Sequence, residues 1–357
     1  MKPRDLSDHV PYRAGRGITE VARELGLNPD DLHKLSSNEN PFGPSPRAID
    51  AIAEAAEHVH TYPKAAHTDL VEALAETWEL DPVQVWLTAG GDGFLDYLAR
   101  AFLDSGDRVL VPEPGFAYYA MSAQYRDAAI DQYRLSKADG FEQTAETVLG
   151  SYDGQRIVYV TTPHNPSGSE MALDEIETLA ARTSEETLVV VDEAYGEFTS
   201  NPSARRLLDE REDVAILRTF SKAYGLAGLR LGYGLVPSTW ASAYDRVNTP
   251  FAVNAPACYA GVAALDDDEH VERTVETVRW ARTYIREALD APTWESGGNF
   301  VLAEVGNAQV VAEQAQREGT IIRDCTSFGL PECVRISCGT KATTRKAVTT
   351  LNEVLDG

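Results

Sequence analysis

Short apolar runs alternate with segments of helical periodicity through the first two thirds of this chain, and that alternation restricts the fold more than any other feature. Residues 83–88 read as a strand, and residues 89–93 lead from it into a helical stretch with Leu95, Leu98 and Phe102 on one face. Residues 108–111, 157–161, 188–191 and 215–218 read as further short strands, with a helix over about 173–181 between two of them. Strands that are apolar at successive positions are covered on both faces, so the pattern predicts a mostly parallel sheet wrapped by helices. Ligands of such sheets bind beyond the carboxyl ends of the strands. After about Val247 the pattern changes. A long helix over 272–289 precedes short strands at 299–305, 321–323 and 334–338, and the last helix, after Thr340, stripes Ala347, Val348, Leu351, Val354 and Leu355. This predicts a smaller α+β unit that completes the site from the other side.

Charge narrows the function. The chain of 357 residues carries 32 basic and 56 acidic residues, a net charge of −24. Such a field opposes nucleic acid and anionic membrane as partners. Lysine is confined to Lys2, Lys34, Lys64, Lys137, Lys222, Lys341 and Lys346, and acid is spread throughout, densest at residues 266–269. A strongly hydrated surface suited to high salt, a halophilic one, follows from that balance. No apolar run is long enough to span a bilayer, and the first twelve residues lack a signal-peptide core, so a cytoplasmic protein is expected. Cys258, Cys325, Cys333 and Cys338 form no C-x-x-C pair and no zinc set, and read as free thiols.

Four polar segments fall at predicted strand ends. In Thr219-Phe220-Ser221-Lys222, with Arg230 eight residues on, the hydroxyls and guanidinium suit phosphate oxygens while the amine could condense with a nearby aldehyde. A lone lysine is more often a surface cation; Ser221 and Arg230 at this spacing reverse those odds. Asp192 ends the run Val189-Val190-Val191, where a carboxylate needs a cationic partner or several donors. A protonated pyridine would supply that cation, and Tyr195 could donate to the ring's phenolic oxygen, although a helix N-cap aspartate is the plainer alternative. The turn Thr162-Pro163-His164-Asn165-Pro166-Ser167-Gly168 is rigid enough to hold Asn165 toward the same oxygen. Gly90-Gly91-Asp92-Gly93 opens a helix whose first N–H groups suit a phosphate, without the full G-x-G-x-x-G or P-loop pattern.

Together, in this order, these elements resemble the fold-type I aminotransferases, and most closely the histidinol-phosphate aminotransferase family, over essentially the whole chain. Asn38-Glu39-Asn40-Pro41-Phe42-Gly43-Pro44-Ser45 is similar to that family's N-E-N-P-x-G-P-S signature. The resemblance implies the pyridoxal-phosphate-dependent transferase fold, a large domain with a mostly parallel seven-stranded sheet plus a smaller α+β domain. It divides the chain into an arm (1–37) belonging to the small domain, a large cofactor-binding domain (38–247) and a small C-terminal domain (248–357).

The resemblance also implies site roles. Lys222, Asp192 and Tyr195 would be catalytic. Pyridoxal 5'-phosphate would be held by Gly91, Asp92, Gly93, Phe116 stacking on its ring, Asn165, Asp192, Tyr195, Thr219, Ser221, Lys222 and Arg230, with Tyr62 reaching over from the neighbouring subunit of a homodimer. Tyr12, Asn38, Arg323 and Arg335 would contact substrate, Arg335 as the bidentate partner of an α-carboxylate and Arg323 at a distal phosphate. Two departures from the family pattern stand out: Ala252 replaces an amide side chain in Pro250-Phe251-Ala252-Val253-Asn254, and Gly115 precedes the stacking ring. The expected reaction interconverts histidinol phosphate and 2-oxoglutarate with imidazole-acetol phosphate and glutamate, in histidine biosynthesis. An aromatic amino-acid transaminase and a threonine-phosphate decarboxylase share the scaffold. A non-catalytic cofactor-binding sensor is disfavoured by the acidity and the lack of a DNA-binding segment.

Overall fold

The computed structural model describes residues 1–357 except 2–5, 8, 10–14, 16, 65 and 66. Its strands, in chain order, are β1 (His33–Leu35), β2 (Val85–Ala89), β3 (Arg108–Glu113), β4 (Ala129–Arg134), β5 (Ile157–Thr161), β6 (Leu188–Asp192), β7 (Val214–Thr219), β8 (Leu231–Leu235), β9 (Phe300–Glu304), β10 (Thr320–Asp324) and β11 (Cys333–Ser337). Seven of them form one sheet in the order β2-β8-β7-β6-β5-β3-β4. All neighbours in it are parallel except β8, which runs antiparallel to both β2 and β7.

Every residue of β5, β6, β7 and β8 is buried. Successive side chains go to opposite faces. Val158, Val160, Val189, Val191 and Ile216 enter one core, while Ile157, Tyr159, Leu188, Val190, Ala215 and Leu217 enter another. That is why these strands are continuously apolar in sequence. Each fully buried aliphatic side chain contributes about 1.5–3 kcal/mol.

The run at 83–88 starts later than expected. Pro82–Gln84 forms a 3-10 turn, with Asp81 and Gln84 capping each other, and β2 begins at Val85. The strand β8 was not anticipated, because its Gly232 and Gly234 lower strand propensity. Contact requires both glycines. A Cβ on Gly234 would lie 1.9 Å from Phe94 Cε2, and one on Gly232 would lie 2.5 Å from the Gly90 carbonyl carbon. The helix Gly90–Phe102 therefore lies directly against the β8 backbone.

The second sheet has the order β1-β10-β11-β9, with β1 parallel to β10 and the other pairs antiparallel. The helices Asp268–Ala288, Ala308–Arg317 and Lys341–Asp356 supply Val278, Ala281, Ile285, Ala315, Val348 and Leu351 to its core. The last helix is capped by Thr340, whose Oγ1 accepts from the Thr343 amide at 3.2 Å. Tyr195, Phe198 and Ala223, from the loops of the large sheet, pack into this same core. All four cysteines are free thiols. Among the described residues, no helix is long and apolar enough to cross a membrane.

Gly234→Ala should destabilise the fold by about 1–3 kcal/mol through overpacking against Phe94. Gly228→Ala, whose added Cβ meets nothing within 4 Å, should change stability by less than about 0.5 kcal/mol. Denaturant midpoints at unchanged m-value would measure both.

Candidate active site

The polar segments converge at one edge of the large sheet because of strand register. Thr161, at the end of β5, pairs with Asp192, at the end of β6. Since β8 is antiparallel, its first residues lie beside the last residues of its neighbours: Leu231 faces Ala89 and Gly232 faces Thr219. Arg230, immediately before β8, is thereby delivered to the carboxyl edge between the start of the helix Gly90–Phe102 and the Thr219–Lys222 turn. Its backbone is left-handed, φ 54°. Its Nη2 donates to Asp92 Oδ2 at 3.0 Å. A Cβ on Gly90 would sit 2.4 Å from that same nitrogen, so glycine there lets the guanidinium reach the helix start. The Ser221 amide donates to Thr219 Oγ1 at 3.1 Å, and Thr219 Oγ1 lies 3.0 Å from Ser221 Oγ. Amides at a helix start, two hydroxyls and a guanidinium make a cradle for an anion.

Asp192 is buried, and its neighbour Glu193 explains its electrostatics. Arg218 on β7 is buried too, and its guanidinium pairs with Glu193 at 2.9 Å and Glu197 at 2.5 Å while lying over the Trp78 ring. Glu193 also accepts from Ser203 Oγ and the Ala204 amide, both at 2.7 Å. Arg218 is thus committed to the two glutamates. Asp192 has only neutral donors: Tyr119 Oη, in a very short hydrogen bond, and the Ala194 amide at 2.9 Å. Burial pushes its carboxyl up to about 6, the hydrogen bonds from Tyr119 and Ala194 opposing that rise. Asp192 is not a helix N-cap; it closes a tight turn onto Ala194.

Lys222 is the second unusual group. Burial, then Arg335 nearby, lowers its amine to about 8. Its Nζ donates to the Ser37 carbonyl at 3.4 Å and stands 5.7 Å from the centre of the Tyr195 ring. Asn40 anchors the lysine turn from the signature segment, donating to the Ala223 carbonyl at 2.6 Å. The Tyr195 hydroxyl accepts from Asn38 Nδ2 at 3.0 Å and keeps its own proton to donate. Asn38, with φ 54°, is locked by Ser337 and by Asn299, whose Nδ2 donates to the Asn38 carbonyl at 2.9 Å.

The small sheet closes the site. Arg335 on β11 donates to Asn165 Oδ1 at 2.5 Å and to the Ser36 carbonyl at 2.9 Å. Its guanidinium lies over Phe300 and Phe328, and Arg323 lies over the same Phe328 ring. Arg323 and Arg335 are direct partners across the β10–β11 ladder. Like charges directly opposite on a ladder are destabilising, so this pairing suits a group that takes anions.

Lys222, Asp192, Tyr195, Asn165, Thr219, Ser221, Arg230, Asp92, Asn38, Arg323 and Arg335 therefore meet at one edge, with Gly91 and Gly93 in the first turn of the helix Gly90–Phe102. Phe116 stands beside them, its ring edge-on to Tyr119 at 5.6 Å. Tyr62 does not join the cluster; it is 81% exposed and stacks on Phe251 at 4.8 Å. Tyr12 lies outside the described residues.

Two contributors were not anticipated. Tyr119 bonds Asp192, and its only sequence signal is its place one helical turn after Phe116. His164 is buried between Ser167 Oγ (2.7 Å) and the Pro114 carbonyl (2.9 Å), tying the Asn165 turn to the Phe116 segment. Burial lowers its imidazole to about 4, so it is a neutral strut.

The sequence profile of the family described as aminotransferase class I and II matches residues 30–351. The histidinol-phosphate aminotransferase of Haloarcula marismortui is 65% identical over 356 residues, covering 100% of this chain and 99% of the relative. The chain belongs to the class I and II aminotransferases, among the histidinol-phosphate aminotransferases. The relative of that name from Halorubrum lacusprofundi is 66% identical over 355 residues, covering 99% of this chain and 98% of its own. A crystal structure of histidinol-phosphate aminotransferase from Sinorhizobium meliloti, in complex with pyridoxal-5'-phosphate, superimposes with a TM-score of 0.89 at 26% identity. It covers 99% of this chain and 98% of that one. The seven-stranded, mostly parallel sheet is thus that of fold-type I aminotransferases, and these two sequence relatives come from salt-loving archaea.

Asp192 supplies a pH test in cofactor-free protein. Its carboxyl is raised in the fold, so the native state binds the proton more tightly than the unfolded chain does. The stability this group contributes is fully present below about pH 4 and is lost as pH rises through about 6. Between those limits the loss is about 1.4 kcal/mol for each step of one in pH. Cofactor-free Asp192→Asn should lose less stability than the parent between pH 4 and 7. Urea midpoints across that range would measure the difference.

Proposed function

We propose that this aminotransferase converts imidazole-acetol phosphate and glutamate to histidinol phosphate and 2-oxoglutarate, and the reverse, with pyridoxal 5'-phosphate held at the cluster around Lys222. Three features of the chain fit that group. Asp192 is a buried carboxylate without a cation among the described residues, which the protonated ring nitrogen would supply. The Gly90–Gly93 turn, Thr219, Ser221 and Arg230 form an anion cradle that a Cβ on Gly90 would crowd. Lys222 is a buried amine brought close to neutrality. When bound, the cofactor supplies an aldehyde for exchange of the amino group and an electron sink for the bond broken at the substrate α-carbon.

The residues then divide the work. Asp192 holds the ring nitrogen cationic, and Tyr119 and the Ala194 amide keep that carboxylate aimed. Tyr195 donates to the phenolic oxygen, with Asn165 beside it. Phe116 covers a ring face. Lys222 Nζ, its amine lowered to about 8 by burial, would hold the cofactor at its aldehyde and would serve as the base that moves the proton at the substrate α-carbon. Arg335 takes the α-carboxylate of glutamate in one half-reaction and has no carboxylate to take in the other. The two halves of the cycle share one pocket.

The observation that carries the substrate assignment is the cross-strand pairing of Arg323 with Arg335 over one Phe328 ring. Two guanidinium groups facing each other across one rung offer separate anchors for a carboxylate and for a distal phosphate. Tyr62 is exposed and stacks on Phe251 away from the cluster of its own chain, and we assign it to the partner's phosphate in a homodimer.

Half-reactions followed by cofactor absorbance would test these roles. Lys222→Ala should lose at least about 10³-fold in turnover while remaining folded. Arg323→Gln should lower kcat/KM about 10- to 100-fold for histidinol phosphate and change it little for glutamate. Equal losses for both substrates would place Arg323 outside phosphate recognition, and phenylalanine turnover surpassing histidinol phosphate would favour an aromatic transaminase. Mixing Lys222→Ala with Tyr62→Ala should restore part of the activity in hybrid dimers.

A further inference from the structure

Behind the site, on the far side of the Asn165 turn, lies a cleft of about 300 Å³. One wall is the helix Asp268–Ala288, which presents Arg279, Arg282 and Arg286 at helical spacing on one face. The other walls are the Gly168–Glu170 and Glu295–Gly297 loops. None of these residues belongs to the cluster around Lys222.

The charges do not cancel. Arg286 pairs with Glu295 at 2.9 Å. Glu170 accepts a very short hydrogen bond from the Thr199 hydroxyl. Arg282 spends its bonds on two neutral acceptors, the Gly298 carbonyl at 3.2 Å and the Phe198 carbonyl at 3.4 Å. Arg279 makes no ion pair among the described residues. Two guanidinium groups are thus left without a bound carboxylate, in a chain with an excess of 24 negative charges. Like charges three and four residues apart also weaken a helix. Burial holds Arg282 below its ordinary value; Cys338 and Glu170 oppose that fall, and Arg279 and Arg286 add to it.

The opposite wall is built for close approach. A Cβ on Gly168, whose φ is +85°, would lie 2.2 Å from Ser296 Oγ, and one on Gly297 would lie 2.5 Å from Glu170 Cδ. Ser296 Oγ accepts from the Gly298 amide at 3.1 Å and retains its hydrogen to donate into the cleft. The arginines spread over about 10 Å of helix, two turns at 1.5 Å per residue. A cleft several times the roughly 30 Å³ share of a water molecule accommodates an oxyanion with part of its hydration.

We propose that this cleft binds a tetrahedral dianion, a phosphate or the phosphate group of a small ester, between Arg279, Arg282 and Ser296. Three arginines against Glu170 and Glu295 leave the lining one positive charge in excess, and the anion's oxygens accept from forked donors. The cleft also joins elements that carry the catalytic cluster. Gly297 donates to the Gly168 carbonyl at 2.8 Å, Gly168 closes the turn bearing Asn165, and Phe198 lies one 3-10 turn beyond Tyr195. An anion there fixes the back of both.

The test is thermal unfolding of the holoenzyme at fixed ionic strength, with potassium chloride replaced by millimolar inorganic phosphate and, separately, by glycerol 3-phosphate. Phosphate should raise Tm by roughly 2–4 °C at saturation. The exposed Arg279→Gln variant should keep the parent's Tm in chloride and lose most of that shift; Arg282→Gln should lose it too. General salting effects of phosphate would act equally on parent and variants, and so are separated from binding. A shift with inorganic phosphate alone, or with both probes, supports the site, the first assigning it to the free ion. No shift in the parent, or an undiminished shift in Arg279→Gln, overturns it. A shift lost in Arg323→Gln but kept in Arg279→Gln would put the anion in the catalytic cleft and also overturn it.

Discussion

A buried carboxylate with no cationic partner among the described residues governs this structure. Asp192 ends a strand whose every residue is inside the protein, and the buried Arg218 is held by Glu193 and Glu197. What remains around Asp192 is a hydroxyl and an amide. Such an arrangement costs stability near neutral pH in the protein alone and becomes favourable when a positive group arrives. The sheet edge therefore favours a positively charged group beside Asp192. Tyr119 and the Ala194 amide orient the carboxylate but do not neutralise its charge.

The second organising element is the reversed strand β8. In a wholly parallel sheet the residue before a strand lies at the amino edge, away from the ligand. Because β8 runs backwards, Arg230 reaches the carboxyl edge instead, next to the opening of the helix Gly90–Phe102 and to Ser221. The anion cradle is thus assembled from three separate stretches of chain brought together by hydrogen-bond register. The smaller sheet contributes the opposite wall, and its core takes in Tyr195 and Ala223, so the two layers share side chains at the chemistry itself.

Much of this was legible in the sequence where the physics is local. Continuous apolar runs marked β5, β6 and β7 because double-sided burial demands them. Lys222, Asp192 and Asn165 stood at the ends of those runs. The limits of that legibility are also physical. Gly232 and Gly234 hid β8, since their purpose is contact with Phe94 and Gly90, distant in sequence. Tyr119 and His164 could not be distinguished from ordinary core residues, because their partners, Asp192 and the Pro114 carbonyl, are set by tertiary packing. The assignment of Arg218 to the two glutamates, which leaves Asp192 bare, depends on geometry across two strands and leaves no local pattern.

The reversed strand has one more consequence. Lys222 hangs from the end of β7 and Arg230 from the beginning of β8, and these strands are hydrogen-bonded partners. The connection between amine and guanidinium is therefore pinned at both ends by the same ladder. Within that connection Gly225 is fixed, since its backbone is left-handed and an added Cβ would lie 2.2 Å from the Gly43 carbonyl oxygen. A single residue inserted or removed would turn one anchor away from the edge, or shear the ladder. Length is therefore a second thing that heredity must preserve in this stretch.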